Sequence, residues 1–149
     1  MTAQSRLALR VTRRFSASPE RVFDAWLDPA MAGRFLYATP TGRMVRVEID
    51  ARPGGRYAIV ERRNGEDAAH FGEYLEIDRP RRLVFTLSAE ERSKDADRIV
   101  VEIVQLQTGC ELTLTHETSA PADMKERITE GWVGVLAGLD ATLRHSTRA

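Results

Sequence analysis

The stretch DMKERITEGWVGVLAGLDATLRH, Asp123 to His145, decides how this chain folds. Its apolar residues Met124, Ile128, Trp132, Val135, Leu136, Leu139 and Leu143 recur at steps of three and four. That is the helical period, and it places all of them on one face. Asp123 with Glu126 three residues on has the form of a capping box, and Pro121 discourages an earlier start. At about 1.5 Å per residue the helix would run roughly 35 Å. Each large apolar side chain gains about 1.5–3 kcal/mol when fully buried, and chain entropy offsets most of that gain. Such a stripe therefore needs a wide apolar surface to lie on.

The residues before it supply that surface. Leu7, Leu9, Val11 and Phe15 alternate with polar neighbours as in a strand with one buried face, which Arg13 interrupts. Ser18-Pro19 and Asp28-Pro29 are each an N-cap followed by proline at the first helical position. They predict two short helices in succession, the second ending near Phe35. From Arg43 the period changes to two. Met44–Asp50 predicts a strand with Val45, Val47 and Ile49 on one face. Arg56–Arg62, Ala69–Ile77, Leu83–Ser88, a strand around Ile99, Val101 and Ile103, and one around Leu112, Leu114 and His116 follow. Pro53-Gly54-Gly55, Asn64-Gly65, Asp78-Arg79-Pro80 and Gln107-Thr108-Gly109 separate them as turns, with Ala89–Asp97 a charged loop. Short turns make these strands an antiparallel meander. The expected class is α+β: a seven-stranded antiparallel sheet, twisted around one long C-terminal helix, with two short helices after the first strand. One domain over residues 1–149, with its core at about 7–145, fits the length.

Composition narrows the function. Lys plus Arg (22) equals Asp plus Glu (22), which removes the electrostatic basis for nucleic acid or an anionic membrane as main partner. The pairs Arg13-Arg14, Arg62-Arg63 and Arg81-Arg82 read as solvated strand faces and turn flanks. No segment approaches the roughly 20 apolar residues of a membrane span. Met1–Arg10 lacks the apolar run of a signal peptide, and the single Cys110 leaves no disulfide within the chain, so the expected compartment is the cytoplasm. His70, His116 and His145 lie on different predicted elements, without metal-ligand spacing. No Gly-rich loop runs from a strand into a helix, and no serine or cysteine is arranged as a nucleophile beside a histidine. No cofactor, metal or catalytic constellation is therefore expected.

In element order and local sequence the chain resembles the helix-grip fold of the START-like superfamily. Within it, the similarity is to the branch named after the activator of the heat-shock-protein ATPase. The matching stretches are Ala17–Trp26, Asp50–Gly55, Gly72–Ile77, Arg82–Thr86, Leu112–His116 and Gly131-Trp132. They are turns, caps and core positions, specific for a fold rather than an activity. The resemblance implies an apolar cavity between sheet and long helix, used by many relatives for lipid-like, aromatic or polycyclic ligands. Leu87 stands where many relatives carry an aromatic residue, which implies a pocket of different shape there.

The expected lining is drawn from Trp26, Phe35, Tyr57, Ile59, Tyr74, Phe85, Leu87, Val101, Ile103, Leu112, Leu114, Trp132, Leu136 and Leu139. Glu61 and His116, which share parity with inward residues, are its expected polar contacts. Each has two readings: a group that orients a ligand or moves a proton, or a residue at the rim, in water or paired with arginine. Trp132 is either a core anchor or a cavity wall. Gly131, Gly134 and Gly138 would leave room between helix and sheet. In the strand Ala69–Ile77, either His70 or Phe71 faces inward, and a bulge would let both sets contribute.

Three functions compete. The first is a monomer or homodimer that binds a small apolar molecule. The second is a cyclase- or aromatase-type enzyme using Glu61 or His116; burial of either beside a second titratable group would place this reading first. The third is a chaperone-cofactor role, implied only by the branch name, whose name-giving protein uses a further domain outside these residues.

Overall fold

The computed structural model describes residues 7–91 and 95–145. The charged loop expected at Ala89–Asp97 and the stretch read for a leader fall partly outside them. The elements are β1 (Leu7–Phe15), α1 (Pro19–Ala25), α2 (Pro29–Phe35), β2 (Arg43–Ile49), β3 (Arg56–Arg63), β4 (Glu66–Asp78), β5 (Arg82–Leu87), β6 (Asp97–Gln105), β7 (Cys110–Thr118) and α3 (Lys125–His145). The strands form one seven-stranded antiparallel sheet in the order β1-β7-β6-β5-β4-β3-β2. This is the expected α+β helix-grip layout. Consecutive strands β1 and β2 sit at opposite edges, and α1 and α2 carry the chain between them.

Local chemistry explains these elements. The Ser18 hydroxyl accepts from the Arg21 amide and the Asp28 carboxylate from the Ala30 amide, so each short helix starts at a capped proline. Asn64 and Gly65 both have positive φ, 51° and 81°, as the tight hairpin between β3 and β4 requires. Along α3 the side chains of Trp132, Val135, Leu136, Leu139 and Leu143 are buried, and Ile128 packs against the same core. The Arg21 guanidinium donates to the Leu143 carbonyl (2.9 Å), satisfying one of the acceptors that a helix end leaves open. Arg13, where the apolar face of β1 is broken, reaches Asp140 on α3 at 3.4 Å.

Two details differ from the expectations, and the β4 register, left open there, is decided. Asp123 is no N-cap: Ala122–Met124 form a 3-10 turn without a side-chain cap, and α3 begins after it. Val45 is 42% exposed, because a bulge between Met44 and Arg46 shifts the parity of β2. Met44, Val47 and Ile49 pack against the core instead. In β4 the even residues face inward: His70 lies opposite Ile59 and Gly72 opposite Tyr57. A second bulge, at the exposed Leu75, then changes the parity and brings Ile77 to the core side.

On the outer face, arginine–carboxylate pairs span neighbouring strands: Arg14–Glu111 (3.1 Å), Arg82–Glu102 (2.8 Å) and Arg98–Glu117 (3.4 Å). Exposed pairs of this kind are each worth about 0–1 kcal/mol. Their effect is a self-neutralised face. Among the described residues no helix is long and apolar enough to cross a membrane.

The glycines of α3 differ in role. A Cβ on Gly138 would stand 3.2 Å from the Phe35 Cβ, so this glycine lets α2 and α3 approach closely. A Cβ on Gly134 would meet nothing within 4 Å, and the residue is exposed rather than set between helix and sheet. Gly134→Ala should therefore stabilise the protein by about 0.8–1 kcal/mol in urea unfolding, the helix-propensity difference alone. A loss of stability would show that the position is crowded.

Candidate functional site

A cavity of about 290 Å³ opens at one end of the sheet–helix interface. Its walls are Ile128, Gly131, Trp132 and Val135 on α3, Leu87 at the end of β5, His116 on β7, His70 on β4, Arg63 at the end of β3, and Tyr37, Ala38 and Thr39 in the segment that joins α2 to β2.

That joining segment is held by Glu61, which is 1% exposed. Its carboxylate accepts from the Thr39 amide (2.8 Å), the Thr39 hydroxyl (2.9 Å) and the Arg63 Nε (2.6 Å). Burial pushes the Glu61 pKa up, but these three donors outweigh it and hold the carboxyl below the usual glutamate value. Gly42 is required beside it, since a Cβ there would overlap the carboxylate. Arg63 also donates through Nη2 to the Tyr37 carbonyl (2.9 Å). Tyr37 itself adopts φ 61°, a conformation that is costly for a bulky residue. Several contacts fix it there. Its ring stacks on His70 at 4.2 Å and meets Trp132 edge-on at 5.9 Å. Its hydroxyl lies 2.8 Å from that of Tyr57, which donates to the Thr86 carbonyl (2.7 Å). Tyr37 is thus the donor to Tyr57. Burial raises the pKa of both phenols, so they act here as neutral hydrogen-bonding groups.

His116 is 4% exposed and engaged at both ring nitrogens. The Trp132 indole Nε1–H, which can only donate, approaches Nδ1 at 2.8 Å. Nδ1 is therefore an acceptor, and Nε2 carries the hydrogen that reaches the Asp97 carboxylate at 2.8 Å. The series Asp97–His116–Trp132 holds the indole as one wall of the cavity. His70 lies with Nδ1 3.3 Å from the Ile59 carbonyl, and burial pushes its pKa down, with the nearby Arg63 charge acting the same way.

Among the residues expected in the site, the structure places Leu87, His116 and Trp132 on the cavity wall. Trp132 is both core anchor and wall. Trp26, Phe35, Tyr57, Ile59, Tyr74, Phe85, Val101, Ile103, Leu112, Leu114, Leu136 and Leu139 are buried in one continuous core beyond it. Trp26, for example, packs edge-to-face on Phe35 at 5.3 Å and lies 6.2 Å from Phe85. Glu61 sits behind Arg63 and Thr39 rather than on the wall. Sequence reasoning did not single out Tyr37 or Thr39; it read Arg63 as half of a solvated pair and Asp97 as the end of a charged loop, whereas Arg63 is bonded to buried Glu61 and Asp97 opens β6 beside His116. All four lie in loops or at strand ends, where no period marks direction. Among the described residues no cluster of three or more His, Cys, Asp or Glu could hold a metal ion. Cys110 is buried, which pushes its thiol pKa up.

Solved structures share the fold. A protein from Chromobacterium violaceum is 29% identical with a TM-score of 0.77, over 90% of this chain and 94% of that one. A Staphylococcus aureus protein of unknown function is 18% identical with a TM-score of 0.86, over 97% and 98%. An AHSA1-like protein from Aeromonas hydrophila is 19% identical with a TM-score of 0.80, over 94% of both chains. No curated protein matches the chain. The family model described as "Activator of Hsp90 ATPase homolog 1-like protein" matches residues 16–144. With a match over β2 to β7 and the whole stripe of α3, the chain belongs to the activator of Hsp90 ATPase homolog 1-like family, within the START-like superfamily.

Proposed function

We propose that this protein binds a small, largely apolar molecule in the cavity beside Trp132. The observation that carries the reading is the cavity's construction. Aliphatic side chains and an indole line it together with a few polar groups, of which Thr39 and Arg63 are held by Glu61 and His116 by Asp97. Its volume lies at the lower end of the roughly 300–1,000 Å³ usual for small-molecule sites. The ligand is therefore compact, such as one or two fused rings or a short chain.

Gly131 offers the test. It lies on the wall, and a Cβ there would meet nothing within 4 Å. Gly131→Leu should fold at least as well as the wild type and fill the space. Titration with the neutral dye N-phenyl-1-naphthylamine, read through Trp emission, should show binding to the wild type weakened about tenfold or more in Gly131→Leu. Equal binding by both proteins would remove the cavity from consideration. Native mass spectrometry of gently purified protein would identify a bound molecule directly.

A second reading, an enzyme of cyclase type, meets the condition set for it from the sequence, burial of His116 beside a second titratable group, Asp97. Both ring nitrogens of His116 are occupied, however, so a proton-accepting role needs Trp132 to release Nδ1 first. That requirement places the enzyme second. Its signature would be a chemically altered ligand after incubation, with turnover in His116→Gln falling by more than any loss of binding.

A further inference from the structure

The cavity's charge arrangement says more about the ligand. Among the described residues on its wall, Arg63 is the one with a permanent charge. His70 is held toward its neutral form, and His116 turns its one ring hydrogen to Asp97. Arg63 is the partner of Glu61, but the two are not equally committed. Glu61 is surrounded: two of its three donors come from Thr39, and its side chain is 2% exposed. The Arg63 side chain is 37% exposed and uses Nε for Glu61 and one Nη2 hydrogen for the Tyr37 carbonyl. Of the five N–H groups of a guanidinium, both on Nη1 and the second on Nη2 lie outside these bonds. Thr39 supplies two of the three hydrogen bonds on Glu61, so Arg63 binds it through Nε alone and keeps its Nη1 hydrogens open to an acceptor in the cavity. Its position is fixed in advance by Glu61 and Tyr37, which lowers the ordering cost of binding.

We infer that the cavity takes a weak organic acid: a molecule with an apolar aromatic or aliphatic body and one carboxylate or equivalent oxyanion, the anion resting on Arg63 and the body against Trp132, Ile128 and Val135. A guanidinium forms short, charge-assisted bonds to such an oxyanion, about twice as strong as those between neutral groups. The inference rests on the cavity being the binding site, as proposed above.

The test compares 2-naphthoate with the neutral 2-naphthamide by calorimetric titration at neutral pH. The wild type should bind the acid about tenfold more tightly than the amide. The acid should also displace N-phenyl-1-naphthylamine. Arg63→Gln should bring the ratio of acid to amide affinity close to one, a ratio that a general loosening of the cavity, which weakens both ligands alike, would leave unchanged. Gly131→Leu should lose both ligands. Equal affinities for acid and amide in the wild type, both lost in Gly131→Leu, would overturn the acid class and leave the cavity standing. A preference that survives Arg63→Gln, or acid binding without dye displacement, would also overturn it. Failure of the wild type to bind either ligand or the dye would overturn the cavity reading and this one together. Should Arg63→Gln not fold, the wild-type preference and the displacement decide alone.

Discussion

Trp132→Ala should lower the unfolding free energy by about 3–5 kcal/mol in a urea titration, the cost of emptying a large aromatic site from a core. Trp132 is 4% exposed and sits at the middle of the α3 stripe. It touches Tyr37 and His116 with its ring, and its indole nitrogen donates to His116 Nδ1. Alanine removes the ring and leaves Nδ1 without its donor. Trp132→Phe separates the two effects: it keeps most of the volume but not the N–H. The cost of one orphaned buried acceptor is about 1–3 kcal/mol. A phenylalanine variant as unstable as the alanine variant would show that the hydrogen bond, not packing, carries the position. A loss below about 1 kcal/mol for alanine would place Trp132 outside the core.

Glu61→Ala should cost about 1–3 kcal/mol at neutral pH, because it leaves the donors of Thr39 without their acceptor, while Arg63, 37% exposed, can turn to water. The Thr39 amide, the Thr39 hydroxyl and the Arg63 Nε would each lose their acceptor. The joining segment that carries Tyr37 would lose its tether to β3, so cavity binding should fall with stability. The pH dependence has a definite sign. The native carboxyl is held below the usual glutamate pKa, so the folded state binds fewer protons than the unfolded state in that range. Its contribution is complete above the unfolded value, about 4.3, and declines as pH falls through the lower folded value. The stability gap between wild type and Glu61→Ala should accordingly narrow in acid urea titrations. A gap that widens below pH 4.5 would mean that Glu61 is protonated in the native state.

Much of the fold was legible because its determinants are local. The stripe of α3, the capped prolines at Pro19 and Pro29, and Asn64-Gly65 each act within a few residues, and each appears in the structure where the sequence places it. The inward parity of Glu61 and His116 was legible for the same reason: a strand alternates strictly until a bulge intervenes. Where bulges do intervene, at Val45 and Leu75, parity fails, because the inserted residue answers to the neighbouring strand and not to its own.

The cavity was legible only in outline. Alternation tells which side chains enter the interior, but not which of them meet and close it. Trp26, Phe35 and Phe85 all point inward, and their packing on one another fills the middle of the space between sheet and helix. The opening remains at the end where Tyr37 is held by Glu61 through Thr39 and Arg63, residues up to 26 positions apart in the chain. Asp97, at the start of β6, likewise meets His116 across 19 positions. The sequence by itself determined the sheet, the helices and the inward faces, because period, caps and turns are short-range. The tertiary structure decided where the interior stays open and which charge faces it, because hydrogen bonds and packing between distant segments leave no period in the chain.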